Sequence, residues 1–228
     1  MFTDYLPKGF TCAGCTRASW KSVCEFCKEN LPWNDDLLPS PVTELESIAP
    51  LMYSFSRSQT LIRRFKEYGG SDLKRALFQM QHPLKHRLME SHFFAVIPIP
   101  QDLDRSYTRG HESGLTVAKY FSQQLRVPLL PLLTLRSRNT ARQTGLRKFE
   151  REWSENPFVF SDVCNRQWAY HRLRDHMESR KEVRLLLVDD LITSGSTLSK
   201  ACSTLREFYP NLKIWGGSIG FRPSRRFH

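Results

Sequence analysis

The stretch from Arg184 to Thr197, R-L-L-L-V-D-D-L-I-T-S-G-S-T, restricts the fold more than any other part of the chain. Leu185, Leu186, Leu187 and Val188 run without polar alternation, the pattern of a strand buried on both faces of a parallel sheet. The run stops at Asp189 and Asp190, so two carboxylates stand at the carboxyl end of the strand, the edge where open α/β sheets bind their ligands. Gly195 then permits a tight turn, and Thr193, Ser194, Ser196 and Thr197 place hydroxyls beside the free amides of a helix start. Leu198, Ala201, Cys202 and Leu205 follow at the spacing of one helix face. The plainer reading, a strand, a solvated acidic turn and a capped helix, leaves unexplained why these parts come in the order a site requires.

Carboxylates accept hydrogen bonds from vicinal hydroxyls, and a helix N-terminus with hydroxyl neighbours attracts a phosphate. A ribose 5-phosphate carries both groups. V-D-D-L-I-T-S-G-S-T also resembles the phosphoribosyl pyrophosphate signature of type I phosphoribosyltransferases. That resemblance implies that Asp189 and Asp190 meet the ribose 2- and 3-hydroxyls while Thr193, Ser194, Gly195, Ser196 and Thr197 wrap the 5-phosphate.

Cys12, Cys15, Cys24 and Cys27 form C-x2-C-x8-C-x2-C, two pairs that can each aim two thiolates at one ion and together close a tetrahedral site. Structural Zn²⁺ is the expectation; a redox dithiol or an iron centre accounts less well for the paired repeat. A unit of roughly forty residues needs such a staple. The expected organisation is a four-cysteine zinc module over 1–40, a linker over 41–50 rich in Pro and acid, and an α/β domain over 51–228.

Net charge is +11, from 34 Lys and Arg against 23 Asp and Glu. Residues 1–50 hold four basic against seven acidic residues, which leaves +14 on the remainder and assigns any polyanion-binding surface to the larger domain. The longest apolar run, Phe93 to Pro100, is far too short to cross a bilayer, so a cytoplasmic protein with no membrane insertion is expected, peripheral at the membrane only through a partner.

Ser58 to Tyr68 is expected to be a helix carrying Arg63, Arg64 and Lys66 and stopped at Gly69-Gly70, with a further helix after Ser71 presenting Leu73, Ala76, Leu77 and Met80. L-I-R-R-F-K-E-Y-G-G is either a phosphate-contacting element or a solvated basic face. Met52 to Phe55 suggests an edge strand and Phe93 to Ile99 a buried one ending at prolines. A polar loop with Arg105 and Arg109 follows, then a helix with Leu115, Ala118, Phe121 and Leu125 inward, a second βα unit opening on the same edge. Arg109 either lends charge to a bound pyrophosphate or forms a surface ion pair.

After the apolar run Leu129 to Leu135, residues 136–151 hold six positive charges and one negative, with Phe149 and Trp153 close by. Cations interleaved with rings are the ingredients of single-strand binding, and also of an ordinary solvated loop. Arg142, Arg147 and Lys148 are the candidate nucleic-acid contacts; Arg136 and Arg138 are candidates for pyrophosphate. Residues 161–183 read as helical and uninformative, with His171 and His176 on the surface. Leu212 to Ile219 makes a last strand, and the tail F-R-P-S-R-R-F-H adds three arginines.

The whole order resembles one family, the competence-protein ComF family of bacterial DNA-uptake proteins. The resemblance rests on the four-cysteine module, L-I-R-R-F-K-E-Y-G-G, the P-I-P strand end with Arg109-Gly110, Q-T-G-L from Gln143 to Leu146, and V-D-D-L-I-T-S-G-S-T. It departs at His111, Glu112 and Ser113, where the family carries an aromatic residue, Asn and Gln. It implies a type I phosphoribosyltransferase fold, binding of phosphoribosyl pyrophosphate with Mg²⁺, a role with single-stranded DNA in the cytoplasm, and an uptake helicase and other competence proteins as partners. Two functions are therefore expected in competition. One is a DNA-uptake factor that retains the sugar-phosphate site. The other is an active phosphoribosyltransferase in which Asp189 and Asp190 are catalytic, for which no acceptor pocket is recognisable in the sequence.

Overall fold

The structure, a computed structural model, describes residues 11–17, 19, 23–68, 84–101, 110–135, 156–161, 167–179 and 182–223. In chain order its elements are α1 (Glu25–Glu29), β1 (Ile48–Tyr53), α2 (Ser56–Tyr68), α3 (Lys85–Glu90), β2 (Ala95–Pro98), α4 (Ser113–Leu125), β3 (Leu133–Leu135), β4 (Phe158–Phe160), α5 (Trp168–Glu178), β5 (Val183–Val188), β6 (Leu191–Ile192), α6 (Ser196–Phe208) and β7 (Leu212–Phe221). The α/β class expected from the sequence is the class observed.

The main sheet is parallel, ordered β1-β7-β5-β2, with β6 pairing β7 beyond the end of β5. β5 is thus an interior strand, with Leu187 opposite Gly216 on one side and Ile97 on the other. Its unbroken apolar run follows from two cores. Leu186 and Val188 pack with Leu61, Phe65 and Phe121 on one face, and Leu185 and Leu187 with Leu173, Leu198 and Leu205 on the other. Truncating Leu186 or Leu187 to Ala would cost about 2–5 kcal/mol. Outside this sheet, β3 and β4 pair antiparallel, Leu133 opposite Phe160 and Leu135 opposite Phe158, so the two ends of the segment holding the basic stretch are tied together.

Several boundaries differ from the sequence reading. β1 begins at Ile48, inside the stretch expected to be linker, and contains Pro50. The proline is tolerated because β1 is the edge strand and its carbonyl there accepts the Asn34 side-chain amide at 3.1 Å, so no interior ladder bond is lost. Pro98 likewise ends a strand on the opposite edge. α4 buries Gly114, Val117, Ala118 and Phe121, whereas Leu115 and Leu125 are only half-buried. The helix is rotated so that Ser113 and Gly114 face the carboxyl end of β5. Cys12, Ala13, Val23 and Cys27 belong to the same apolar cluster as Leu61 and Phe65, and Arg64 Nη1 donates to the Cys12 carbonyl at 3.3 Å. The core therefore runs without interruption from the cysteine module into the sheet. The helix expected after Ser71, residues 136–155 and the tail from 224 lie outside the described residues.

Candidate functional site

β5 delivers the acid pair to the sheet edge, and β7 keeps it in line: the Asp189 amide donates to the Gly217 carbonyl at 3.0 Å and the Ile219 amide to the Asp190 carbonyl at 3.2 Å. The two side chains have different surroundings. Asp190 is 4% exposed. Its Oδ1 lies 2.8 Å from Lys66 Nζ, and its Oδ2 accepts from Ser113 Oγ at 2.6 Å and Gln101 Nε2 at 3.1 Å. Gln101 Oε1 in turn accepts the Ser113 amide at 3.2 Å, which fixes the start of α4 against the end of β2.

Asp189 is half-buried. Its Oδ1 accepts the Asp190 amide at 2.7 Å, and its other oxygen has no hydrogen-bond partner among the described residues. Burial, then the adjacent Asp190 charge, push its carboxyl up to about 7, against the opposing pull of the Asp190 amide and Lys66.

Past β6 the chain turns at Gly195, whose φ of +77° is left-handed. A β-carbon there would also stand 2.8 Å from Pro41 Cγ and 2.9 Å from Val42 Cγ1, because the segment leading to β1 lies directly on the turn. α6 starts at the next residue, and its first amides have no intrahelical acceptor. Thr193, Ser194, Ser196 and Thr197 are exposed around this N-terminus. Ser194 Oγ reaches Ser196 Oγ at 3.2 Å, while the hydroxyls of Thr193 and Thr197 have no partner among the described residues. An open carboxylate oxygen, free hydroxyls and the positive end of a thirteen-residue helix suit a ligand bearing both hydroxyl and phosphate.

The four cysteines converge as expected, with all four Sγ within 4.8 Å of one another. Cys15 and Cys24 Sγ are 3.8 Å apart, close to the separation that a tetrahedral ion with bonds of about 2.3 Å imposes on its sulfurs. The amides of Gly14 and Cys24 point at Cys12 Sγ from 3.4 and 3.3 Å. Burial opposes ionisation of Cys12, but amides from Cys24, Cys15 and Gly14 outweigh it and bring the thiol down to about 6. Burial, then neighbouring thiols, push Cys27 up, the crowding a shared cation would relieve. This donor set fits zinc.

The structure thus brings together Asp189, Asp190 and Thr193 to Thr197 at one edge and the four cysteines at another place. Arg109, Arg136, Arg138, Arg142, Arg147 and Lys148 lie outside the described residues. Sequence reasoning did not assign Lys66, Gln101 or Ser113 to the acid pair. One signal was present: Lys66 follows Ile62 by four positions, on the flank of the helix face that buries Leu61, Ile62 and Phe65, whereas Arg63 and Glu67 face water.

No protein-family profile matches the chain. It is similar to Competence protein F of Haemophilus influenzae, 28% identical over 162 residues, a match covering 68% of this chain and 65% of that protein. It is also similar to Competence protein ComFC of Bacillus subtilis, 26% identical over 206 residues, which is 87% of this chain and 72% of that protein. The chain therefore spans about two thirds of the length of these relatives.

Proposed function

This chain is a relative of the ComF competence proteins, and from that premise we propose that it is a DNA-uptake factor of natural transformation. In this reading its sheet edge binds phosphoribosyl pyrophosphate and its basic surface binds single-stranded DNA in the cytoplasm. One observation carries the small-molecule part: an oxygen of Asp189 and the hydroxyls of Thr193 and Thr197, without partners among the described residues, and the N-terminus of α6 collect at one edge of a parallel sheet. The diol of a ribose meets the acid, and the 5-phosphate meets the helix. Mg²⁺, when it accompanies the ligand, screens the pyrophosphate. Zn²⁺ held by Cys12, Cys15, Cys24 and Cys27 is structural.

The DNA part is supported by the +14 balance beyond residue 50 and by the six cations of residues 136–151. An uptake helicase and other competence proteins are the partners this family likeness suggests. The same sheet edge also supports a second reading, active transfer of ribose 5-phosphate to an acceptor, since a carboxylate beside the sugar stabilises an oxocarbenium-like transition state.

Titrating the protein with phosphoribosyl pyrophosphate and Mg²⁺, then with a single-stranded oligonucleotide at several salt concentrations, tests the proposal. Saturable binding of both is expected. Replacing Arg142, Arg147 and Lys148 with Ala should lower the salt slope of oligonucleotide binding by about 2, three charges at about 0.7 each. An unchanged slope removes that stretch from the interface. Pyrophosphate release in an acceptor screen would favour the transferase reading.

A further inference from the structure

We propose that Lys66 is a positioning residue that holds Asp190 as a charge-balanced anchor, leaving Asp189 as the one acid of the pair that offers an oxygen to a sugar hydroxyl. The inference rests on reading the edge as a ribose-phosphate site and departs from the equivalent roles that the sequence suggested for the two acids.

The contacts divide the pair. A carboxylate has about four acceptor sites. In Asp190 three are taken by Lys66, Ser113 and Gln101, from α2, the start of α4 and the end of β2, and the side chain is shut from solvent. A hydroxyl reaching Asp190 would have to displace an ammonium at 2.8 Å or a hydroxyl at 2.6 Å. Asp189 spends only one oxygen, on the amide of its neighbour.

Charge requires the lysine. Two adjacent acids at a half-dry edge repel each other, and among the described residues the start of α4 offers Ser113 and Gly114 and the chain past β2 offers Gln101, all neutral. Among the described residues, the charged groups acting on Asp189 are Asp190 from its own segment and Lys66 from α2. His111, before α4, is turned to the Phe65 carbonyl at 2.9 Å. Lys66 cancels Asp190, so the charge that the pair presents is the one on Asp189, the acid that faces the ligand, and it is complete only above about pH 8.

Two measurements test the proposal. In carboxyl-labelled protein the titration midpoint of Asp189 should lie near 7, rise in Lys66→Met, hold near the parent value in Lys66→Arg, and fall in Lys66→Met/Asp190→Asn, where the repelling charge is gone as well. An unmoved midpoint in Lys66→Met overturns the electrostatic role. Should that variant fail to fold, Asp190→Asn is compared with Lys66→Met/Asp190→Asn: loss of the lysine should still raise the midpoint, and equal midpoints overturn the electrostatic role. In titrations with phosphoribosyl pyrophosphate and Mg²⁺, Asp189→Asn should lose about tenfold or more in affinity, the cost of a charged hydrogen bond. The double variant should lose about threefold or less. Equal losses would show that Asp190 touches the sugar and would overturn the assignment. If the parent protein binds no phosphoribosyl pyrophosphate, the ribose-phosphate reading falls by itself, and the ligand-free carboxyl titration still decides the role of Lys66.

Discussion

At the amino end, four sulfurs sit within 4.8 Å of one another, and the amides of Cys24, Cys15 and Gly14 act on Cys12 Sγ. At the sheet edge, two adjacent acids are met by an ammonium 2.8 Å from Asp190 and by two neutral donors. Four thiols that crowd one another fit a shared metal ion, whereas Asp190 already has its cation from α2. In the proposed reading the first cluster holds zinc and the second leaves Asp189 to an organic ligand. The contrast also separates the energetic roles, since the first is coupled to folding through the ion and the second through a side chain.

The largest expected effect breaks the first half of that contrast. Elemental analysis should find one zinc per chain, and chelation or Cys27→Ser should remove it. Because Cys12 and Cys27 share a core with Leu61 and Phe65, its loss should also lower the main thermal transition by at least about 5 °C, at about 2–4 °C per kcal/mol for a chain of this size. A main transition that stays put would make the module an independent unit.

A smaller effect tests the second half. Lys66→Met leaves Asp190 buried without its ion-pair partner and should cost about 3 kcal/mol in urea unfolding; adding Asp190→Asn should recover half or more of it.

The smallest is a pH effect. The Asp189 carboxyl sits near 7 in the folded chain against 3.8 unfolded, so the folded state binds the extra proton. Its contribution to stability is complete below about pH 4 and is lost as pH rises to about 7. Urea midpoints between about pH 4 and 8 should fall less steeply for Asp189→Asn. At pH 8 that variant should be the more stable by about 1 kcal/mol, a figure reduced for partial solvent screening.

What could be read from the sequence was what local pattern encodes. The run Leu185 to Val188 and the helical face Leu198, Ala201, Cys202, Leu205 are set by burial on both sides of one strand and on one side of one helix. The cysteine spacing encodes its own site. The partners of Asp190 do not share a local pattern: Lys66 is 124 positions away by residue number, and Gln101 and Ser113 lie 89 and 77 positions away. They meet only because α2 and α4 pack over β5 and because α4 is turned to bury Gly114 instead of Leu115. β1 was placed too late for a related reason. Pro50 signals a break in isolation, and only the edge position of the strand makes it harmless.

Gly195 has a consequence for how this sheet edge can change over time. Its backbone angle and the nearness of Pro41 and Val42 each exclude a methyl group, so relaxing one restraint would not free the position. The hydroxyl-bearing neighbours at 193, 194, 196 and 197 are exposed, and apart from the Ser194–Ser196 contact they have no partner among the described residues. Randomising 193–197 and recovering folded proteins should return an invariant centre with variable flanks, and selecting the same library for ligand capture should narrow the flanks as well.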